Sequence, residues 1–147
     1  MPDAGLERFV LAQEGGGTYR RALDELRAGR KTSHWMWFVF PQLAGLGASE
    51  TSRRYSISSL QEARAYLDHA LLGPRLLECA HTLGSLGGRT AEEIFGTVDA
   101  LKLHSSMTLF MRARASEPAF GAVLERYFDG VPDSLTDELL DAGADPA

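Results

Sequence analysis

Residues 31–42 read Lys-Thr-Ser-His-Trp-Met-Trp-Phe-Val-Phe-Pro-Gln, and this stretch holds both tryptophans of the chain together with a histidine, a lysine and a glutamine. Large aromatic side chains bury roughly 150–250 Å² each and dominate any core that they enter. A large apolar anchor with a few polar groups at fixed places is also the usual construction of a small-molecule site. The stretch therefore has two interpretations, core alone or core and site wall, and the residue types leave both open.

Length and composition indicate one folded domain. The chain has 147 residues, of which 44% are hydrophobic and 24% charged, close to the average for a globular domain. No apolar run approaches the roughly 18 residues of a membrane span. The N-terminal residues lack the basic start and apolar centre of a secretory signal, and the single Cys79 has no internal disulfide partner. We therefore expect a cytoplasmic protein that does not associate with membranes.

The net charge of −5 is unevenly distributed along the chain. The last nineteen residues hold six acids and no base. A field of this sign repels phosphate backbones, so we expect no general binding of nucleic acid. The six acids are Asp129, Asp133, Asp137, Glu138, Asp141 and Asp145.

Helical periodicity recurs along the chain. Residues 4–13 predict a short amphipathic helix, the glycines at 15–17 break it, and Thr18 is suited to cap a second helix that ends at Gly29. Ser49 is suited to cap a further short helix. Thr90-Ala-Glu-Glu93 and Ser58-Ser-Leu-Gln61 are capping-box patterns that open two more.

The most apolar helical pattern covers residues 98–115. Its hydrophobic side chains fall on every side, which is typical of a buried central helix. We predict a compact all-α bundle of about six to eight short helices around this central helix. The bundle forms a single domain over residues 1–140, and residues 141–147 form an acidic, frayed C-terminal tail.

Several stretches resemble a bacterial family of unknown function, DUF1810. The resemblance extends from Leu6 to about Leu140 and implies a compact all-helical single domain. It implies no activity, since none is established for the family. On this basis we favour a helix for residues 31–42, ended by Pro41, although the residue types alone also fit a strand. The matching stretches are Lys31–Gln42, Gly45-Leu-Gly47, Tyr55-Ser-Ile57, Leu60–Leu67, Gly73–Cys79 and Asp99–Phe110.

A polar stripe crosses the predicted central helix. Lys102, Ser105 and Ser106 stand at i, i+3 and i+4, so they lie together on one face of an otherwise apolar helix. A buried ammonium without a partner is costly, so Lys102 must reach solvent, pair with an acid or face a polar cleft. In the structural interpretation the lysine snorkels to solvent while the serines bond backbone carbonyls. In the functional interpretation the stripe is the wall of a cleft.

We predict that the 31–42 and 102–106 stretches line one pocket for a small planar anionic ligand, either nucleotide-like or an aromatic acid. A tryptophan would offer a stacking surface, and the lysines would supply positive charge. Arg54 and Tyr55 would line the opposite rim, because they follow the glycine turn that returns the chain. The candidate ligand-binding residues are Lys31, Ser33, Trp35, Trp37, Gln42, Arg54, Tyr55, Lys102, Ser105 and Ser106.

Catalysis is left open by the sequence. His34 is the candidate general base, because imidazole titrates nearest to neutral pH, but a lone histidine beside tryptophans is also a common structural donor. The chain has no Gly-x-Ser-x-Gly, His-Glu-x-x-His or Cys-x-x-Cys motif, so we predict no metal and no cofactor. Cys79 is predicted to be a core thiol with a raised pKa. The competing hypothesis is a non-catalytic protein–protein interaction module whose partner the sequence does not name.

Overall fold

A computed structural model describes residues 4–143 of the chain. Ten α-helices follow one another there, with 3₁₀ turns at Ala4–Leu6 and Gly15–Gly17. This confirms the all-α prediction, and the number exceeds six to eight because three of the helices have only four or five residues. The helices are α1 (Glu7–Glu14), α2 (Thr18–Ala28), α3 (Met36–Val39), α4 (Glu50–Arg54), α5 (Leu60–Asp68), α6 (Leu72–Ser85), α7 (Ala91–Phe95), α8 (Thr97–Ala113), α9 (Pro118–Phe128) and α10 (Ser134–Gly143).

The predicted central helix is α8. It packs against α5, α7, α9 and α10, and its middle residues Leu103, Met107 and Phe110 are fully buried. The prediction that α8 is buried on every side does not hold for its first turns, where Val98 and Leu101 are each 64% exposed. The helix begins before the core does, because the first of its buried side chains is Ala100. The start of α8 therefore presents both its backbone and two apolar side chains to the surface.

The start of α2 differs from its prediction. Thr18 is already helical, and its hydroxyl donates to the carbonyl of Gly15 at 2.7 Å instead of accepting from the first turn. The cap position belongs to Gly17, whose φ of 71° lies in the left-handed region that favours glycine. The predicted cap at Ser49 is confirmed, and so is the capping box of Thr90 with Glu93. The Ser58-Ser-Leu-Gln61 pattern does open a helix, but the cap is Ser59, whose hydroxyl accepts from the amide of Glu62.

The 31–42 stretch is helical only over the single turn of α3, and its remaining residues are irregular. Beyond Pro41 the chain forms a parallel bridge between Leu43 and Ile57, which returns the chain after α4. The predicted helix is thus far shorter than the stretch. In place of helical hydrogen bonds, donors at the start of the stretch bond to the carboxylate of Glu25 on α2.

At the C-terminus, α10 continues to Gly143, so the helix does not end at the predicted boundary of residue 140. Residues 144–147 of the predicted acidic tail lie outside the described residues. None of the helices formed by residues 4–143 combines the length and the apolarity that a membrane crossing requires.

Candidate functional site

A cleft of about 430 Å³ opens between the 31–37 segment, the end of α7 and the first turns of α8. Lys31, His34, Trp37 and Lys102 all line it, together with Asp99. Four of the residues predicted to share a pocket are therefore brought together, and His34 and Lys102 lie on the same cleft. Its volume falls within the roughly 300–1,000 Å³ that small-molecule sites occupy.

One carboxylate organises the charges of the cleft. Asp99 Oδ2 lies 2.7 Å from Lys31 Nζ, and Asp99 Oδ1 lies 3.4 Å from Lys102 Nζ. The Lys31 side chain is only 8% exposed, and its ammonium also donates to the carbonyl of Ser33 at 2.6 Å. The Lys102 side chain is 22% exposed and has the longer contact. Lys31 is therefore fixed by its partners, whereas Lys102 retains donors for another group.

Lys31 and Lys102 are the two lysines of the sequence. Of the fifteen basic residues of the chain, thirteen are arginines and two are lysines, and both lysines reach Asp99. An ammonium is a compact charge whose three donors rotate freely, whereas a guanidinium is a planar fork. Two positive charges share one negative charge, so the cleft has an excess positive charge that it does not satisfy internally.

Each ammonium group contacts a tryptophan ring, Trp37 in the cleft wall and Trp35 in the core. Lys102 Nζ lies 4.5 Å from the ring centroid of Trp37, and Lys31 Nζ lies 5.1 Å from that of Trp35, both within cation–π range. The indole Nε1 of Trp37 is buried and has no hydrogen-bond partner among residues 4–143. Lys102 covers one face of the Trp37 ring, so a ligand on that side contacts the ammonium group before it contacts the ring.

Trp35 belongs to the core and not to the cleft wall. It is fully buried, and its indole Nε1 donates to Glu25 Oε1 at 2.8 Å. The same carboxylate accepts from the amide of Thr32 at 2.8 Å and from the Ser33 hydroxyl at 2.6 Å. Burial acts to raise the pKa of Glu25, but these hydrogen bonds outweigh it and lower the pKa to about 2. Glu25 therefore anchors the irregular start of the 31–42 stretch.

Sequence reasoning missed Glu25. The available signal is the position of an acid one turn before the helix-ending Gly29, followed by a run of donors that no helix satisfies. Ser33, predicted to bind ligand, is one of these donors. Its hydroxyl is consequently occupied within the protein.

The polar groups beneath the cleft join the two predicted stretches. The side-chain amide of Gln42 donates to the hydroxyl of Ser105 at 2.6 Å, and Ser105 in turn donates to the carbonyl of Lys102. Ser105 is 2% exposed, and Ser106 is fully buried with a hydroxyl that has no partner among the described residues. None of these three side chains lines the cleft. Ser105 and Ser106 lie on the buried side of α8, and Gln42 bonds to Ser105 there.

Arg54 and Tyr55 lie elsewhere. The Tyr55 ring packs edge-on against Phe38 at 4.8 Å and against Phe9 of α1 at 5.9 Å. The backbone carbonyl of Arg54 accepts from Arg8 of the same helix at 2.8 Å. The bridge between Leu43 and Ile57 directs this part of the chain towards α1, so neither residue forms a rim of the cleft.

His34 is exposed at the cleft, and no hydrogen bond orients its ring within the described part of the chain. A catalytic role for it remains a prediction, since a general base is usually held by a partner. Within residues 4–143, no group of three or more His, Cys, Asp or Glu side chains is placed to hold a metal ion.

Comparison with known proteins agrees with this architecture. The structure of the conserved hypothetical protein Rv1873 from Mycobacterium tuberculosis, determined by crystallography at 1.38 Å, is similar with a TM-score of 0.89 and 57% sequence identity. The match covers 92% of this chain and 96% of that chain. A search of curated proteins found no match. The family model described as protein of unknown function DUF1810 matches residues 3–140, and this chain therefore belongs to the DUF1810 family.

Proposed function

We propose that the protein binds a small anionic ligand with a planar group in the cleft formed by Lys31, His34, Trp37 and Lys102. The observation that carries the proposal is that both lysines of the chain share the single carboxylate of Asp99. A polar cluster that serves only stability gains most when its charges balance, because each uncompensated charge in a partly buried place costs free energy. An anionic ligand supplies the missing negative charge.

The contacts divide the ligand into two parts. Its anionic group binds Lys102 Nζ, the less occupied ammonium, close to the first turn of α8. The cap residue Gly96 offers no side-chain hydrogen bond to that turn, so the amide groups of a 17-residue helix add to the positive potential. The planar part contacts the exposed side chains of His34 and Val98 at the mouth of the cleft. A nucleotide-like molecule or an aromatic acid has this division.

Binding of the ligand in this cleft does not require that the protein catalyse a reaction. His34 contributes a hydrogen bond to the ligand in this proposal, and its service as a general base is a separate step that is tested by turnover of whichever ligand binds.

The presence of only two lysines allows a direct test. Reductive methylation with ¹³C-formaldehyde labels Lys31, Lys102 and the N-terminal amine, and the two lysine signals report on the cleft. AMP, nicotinamide mononucleotide, 4-hydroxybenzoate and inorganic phosphate are titrated against the labelled protein, with adenosine and 4-hydroxybenzamide as uncharged partners. We expect an anionic compound to shift both lysine signals while its uncharged partner does not. The unlabelled protein should gain roughly 2.7 kcal/mol of stability at a hundredfold excess over the dissociation constant.

Matched variants locate the binding. Lys102→Ala should abolish the stabilisation, and His34→Ala should weaken it. His81→Ala is the control, because His81 is an equally exposed histidine on α6 that lies outside the cleft. Equal effects of charged and uncharged compounds, or a stabilisation that survives in Lys102→Ala, would contradict the proposal. Silence of the whole panel at millimolar concentrations would contradict it as well.

A second candidate function is a non-catalytic interaction module. It is favoured by the exposed apolar side chains around α8. Val98 and Leu101 are each 64% exposed on adjacent turns, and Val131, which is 57% exposed, follows close by because its carbonyl bonds His104 at 2.7 Å. Concentration-dependent association in analytical ultracentrifugation that Leu101→Ser abolishes would support this function, and a monomer at all concentrations would argue against self-association.

A further inference from the structure

A second cationic surface lies along α2. A groove of about 670 Å³ is lined by four arginines, and it shares no lining residue with the cleft of Lys31 and Lys102, which we call the lysine cleft. Arg20 and Arg21 stand in the first turn of α2, Arg30 follows the end of that helix, and Arg89 comes from the segment before α7. Three separate parts of the chain thus bring guanidinium groups to one place. We name it the arginine groove.

Among residues 4–143 the four arginines have no acidic partner. None of them forms an ion pair within residues 4–143, and the one side-chain bond among them runs from Arg21 to the carbonyl of Gly16. Five other arginines of the chain do form ion pairs with acids: Arg8, Arg27, Arg75, Arg112 and Arg114. A single exposed arginine needs no explanation, but four unpaired ones in a protein of net charge −5 form a local field of the opposite sign.

Two acids also line the groove, and neither neutralises it. Both oxygens of Glu25 already accept from Thr32, Ser33 and Trp35, so this carboxylate faces its own donors. Asp24 is exposed and contacts none of the arginines within ion-pair distance. Four positive charges against two negative charges leave the arginine groove with an excess of two.

The position of Arg89 is fixed by the backbone beneath it. Gly29 ends α2 with a φ of 74°, and a Cβ added there would lie 3.2 Å from Cδ of Arg89. The Arg89 side chain therefore packs over a glycine that the helix end requires, and Arg89 lines the same groove as Arg30.

The spacing of the charges indicates the shape of the ligand. Ten residues separate Arg20 from Arg30. Arg30 lies just beyond the end of α2 at Ala28, and at 1.5 Å per helical residue the Cα atoms of Arg20 and Arg30 are up to about 15 Å apart, so the cationic positions are spread along the groove. An extended polypeptide covers the same distance in about five residues at roughly 3.3 Å each. The ligand that fits is extended and carries repeated negative charges.

We propose that the arginine groove binds an acidic peptide segment of a partner protein in an extended conformation. Guanidinium groups bind carboxylates through two parallel hydrogen bonds, which suits a run of Asp and Glu side chains. A single-stranded nucleic acid fits less well, since no aromatic side chain lines the groove to stack its bases and the chain as a whole is acidic.

The test uses a fluorescein-labelled peptide of six alternating Glu and Asp residues, with a peptide of Gln and Asn as the uncharged control. We expect fluorescence anisotropy to show binding of the acidic peptide alone, weakening as salt rises. The variant Arg20→Gln, Arg30→Gln, Arg89→Gln should weaken it at least tenfold. Arg53→Gln, Arg54→Gln is the matched control, because these two exposed arginines lie outside the groove. Circular dichroism checks that both variants are folded.

The outcomes separate the alternatives. Unchanged peptide affinity in Lys102→Ala would support a site that is independent of the lysine cleft. Equal binding of the uncharged peptide, or equal losses in both arginine variants, would overturn the proposal. Tighter groove-dependent binding of an oligothymidylate or of inorganic polyphosphate would reassign the groove to phosphate polymers. Self-association that the triple variant abolishes would reassign it to a second copy of the chain.

Discussion

The side-chain amide of Gln42 donates to the hydroxyl of Ser105 at 2.6 Å across 63 residues of sequence. This bond fastens the segment after α3 to the middle of α8, and the ion pair of Lys31 with Asp99 fastens the segment before α3 to the first turn of α8. The cleft between them is therefore supported on both sides.

Ser105 and Ser106 provide a matched pair of substitutions. Ser105→Ala removes the acceptor of a partly buried amide, so it should lower the free energy of unfolding by about 1 kcal/mol. Ser106→Ala removes a buried hydroxyl that has no partner among the described residues, so it should leave the stability unchanged or raise it. Urea unfolding of both variants measures the difference. A larger loss in Ser106→Ala than in Ser105→Ala would contradict the assignment of these hydroxyl groups.

The two lysines should differ in what they stabilise. Lys31→Ala removes a nearly buried ammonium with two short contacts, and it should cost about 2–3 kcal/mol of unfolding free energy. Lys102→Ala removes a longer, more exposed contact and should cost less than about 1 kcal/mol. Thermal and urea unfolding measure both. If Lys102→Ala proved the more destabilising variant, Lys102 would be a structural residue and the proposed binding role would lose its basis.

Glu25 should give the protein an acid-sensitive element. Its pKa is lowered from 4.5 to about 2 in the folded state, so its contribution to stability is complete above about pH 4.5 and is lost as the pH falls towards 2. Glu25→Gln should be destabilised at pH 7 by about 2 kcal/mol, because hydrogen bonds to a charged acceptor are replaced by weaker ones. The difference between the wild type and the variant should narrow across that acidic range.

The control for Glu25 is its exposed neighbour Asp24, which has no hydrogen bond to the 31–42 stretch. Asp24→Asn should change the free energy of unfolding at pH 7 by no more than about 0.5 kcal/mol. A constant difference between wild type and Glu25→Gln from pH 7 down to pH 2 would show that the carboxylate charge is not what holds Thr32, Ser33 and Trp35.

The sequence was sufficient for the fold class and for part of the site. Periodicity and capping patterns are local, so the helices and the caps at Ser49 and Thr90 could be predicted. The prediction that Lys31 and Lys102 line one pocket rested only on a feature that the two stretches share, which is isolated polar groups among apolar residues. Asp99, which joins them, stands in the sequence as an ordinary acid of a first helical turn. Its pairing with Lys102 follows from the i, i+3 spacing on α8, but its contact with Lys31 is tertiary, and no spacing encodes that contact.

Trp35, Arg54 and Tyr55 do not line the cleft, and the reasons lie in tertiary contacts and not in local patterns. Trp35 and Trp37 are two positions apart in sequence, yet Glu25 holds Trp35 in the core while Trp37 reaches the cleft. Residue types do not distinguish the two. Arg54 and Tyr55 were placed by assuming that the glycine turn folds back over the pocket. The bridge of Leu43 with Ile57 instead sets the direction of the chain, and a single bridge leaves no pattern in the sequence.

Cys79 offers the simplest check of the core. It is fully buried in α6, and burial raises the pKa of its thiol to about 12. The thiolate is the reactive form, so Ellman's reagent should not react with the native protein at pH 8. After unfolding in guanidinium chloride it should release one equivalent of thionitrobenzoate per protein chain. At intermediate denaturant the labelling should follow the unfolding transition seen by circular dichroism, because global opening is the route to the sulfur. Rapid stoichiometric labelling of the folded protein would mean that α6 opens locally, and that its packing against α9 is weaker than its burial indicates.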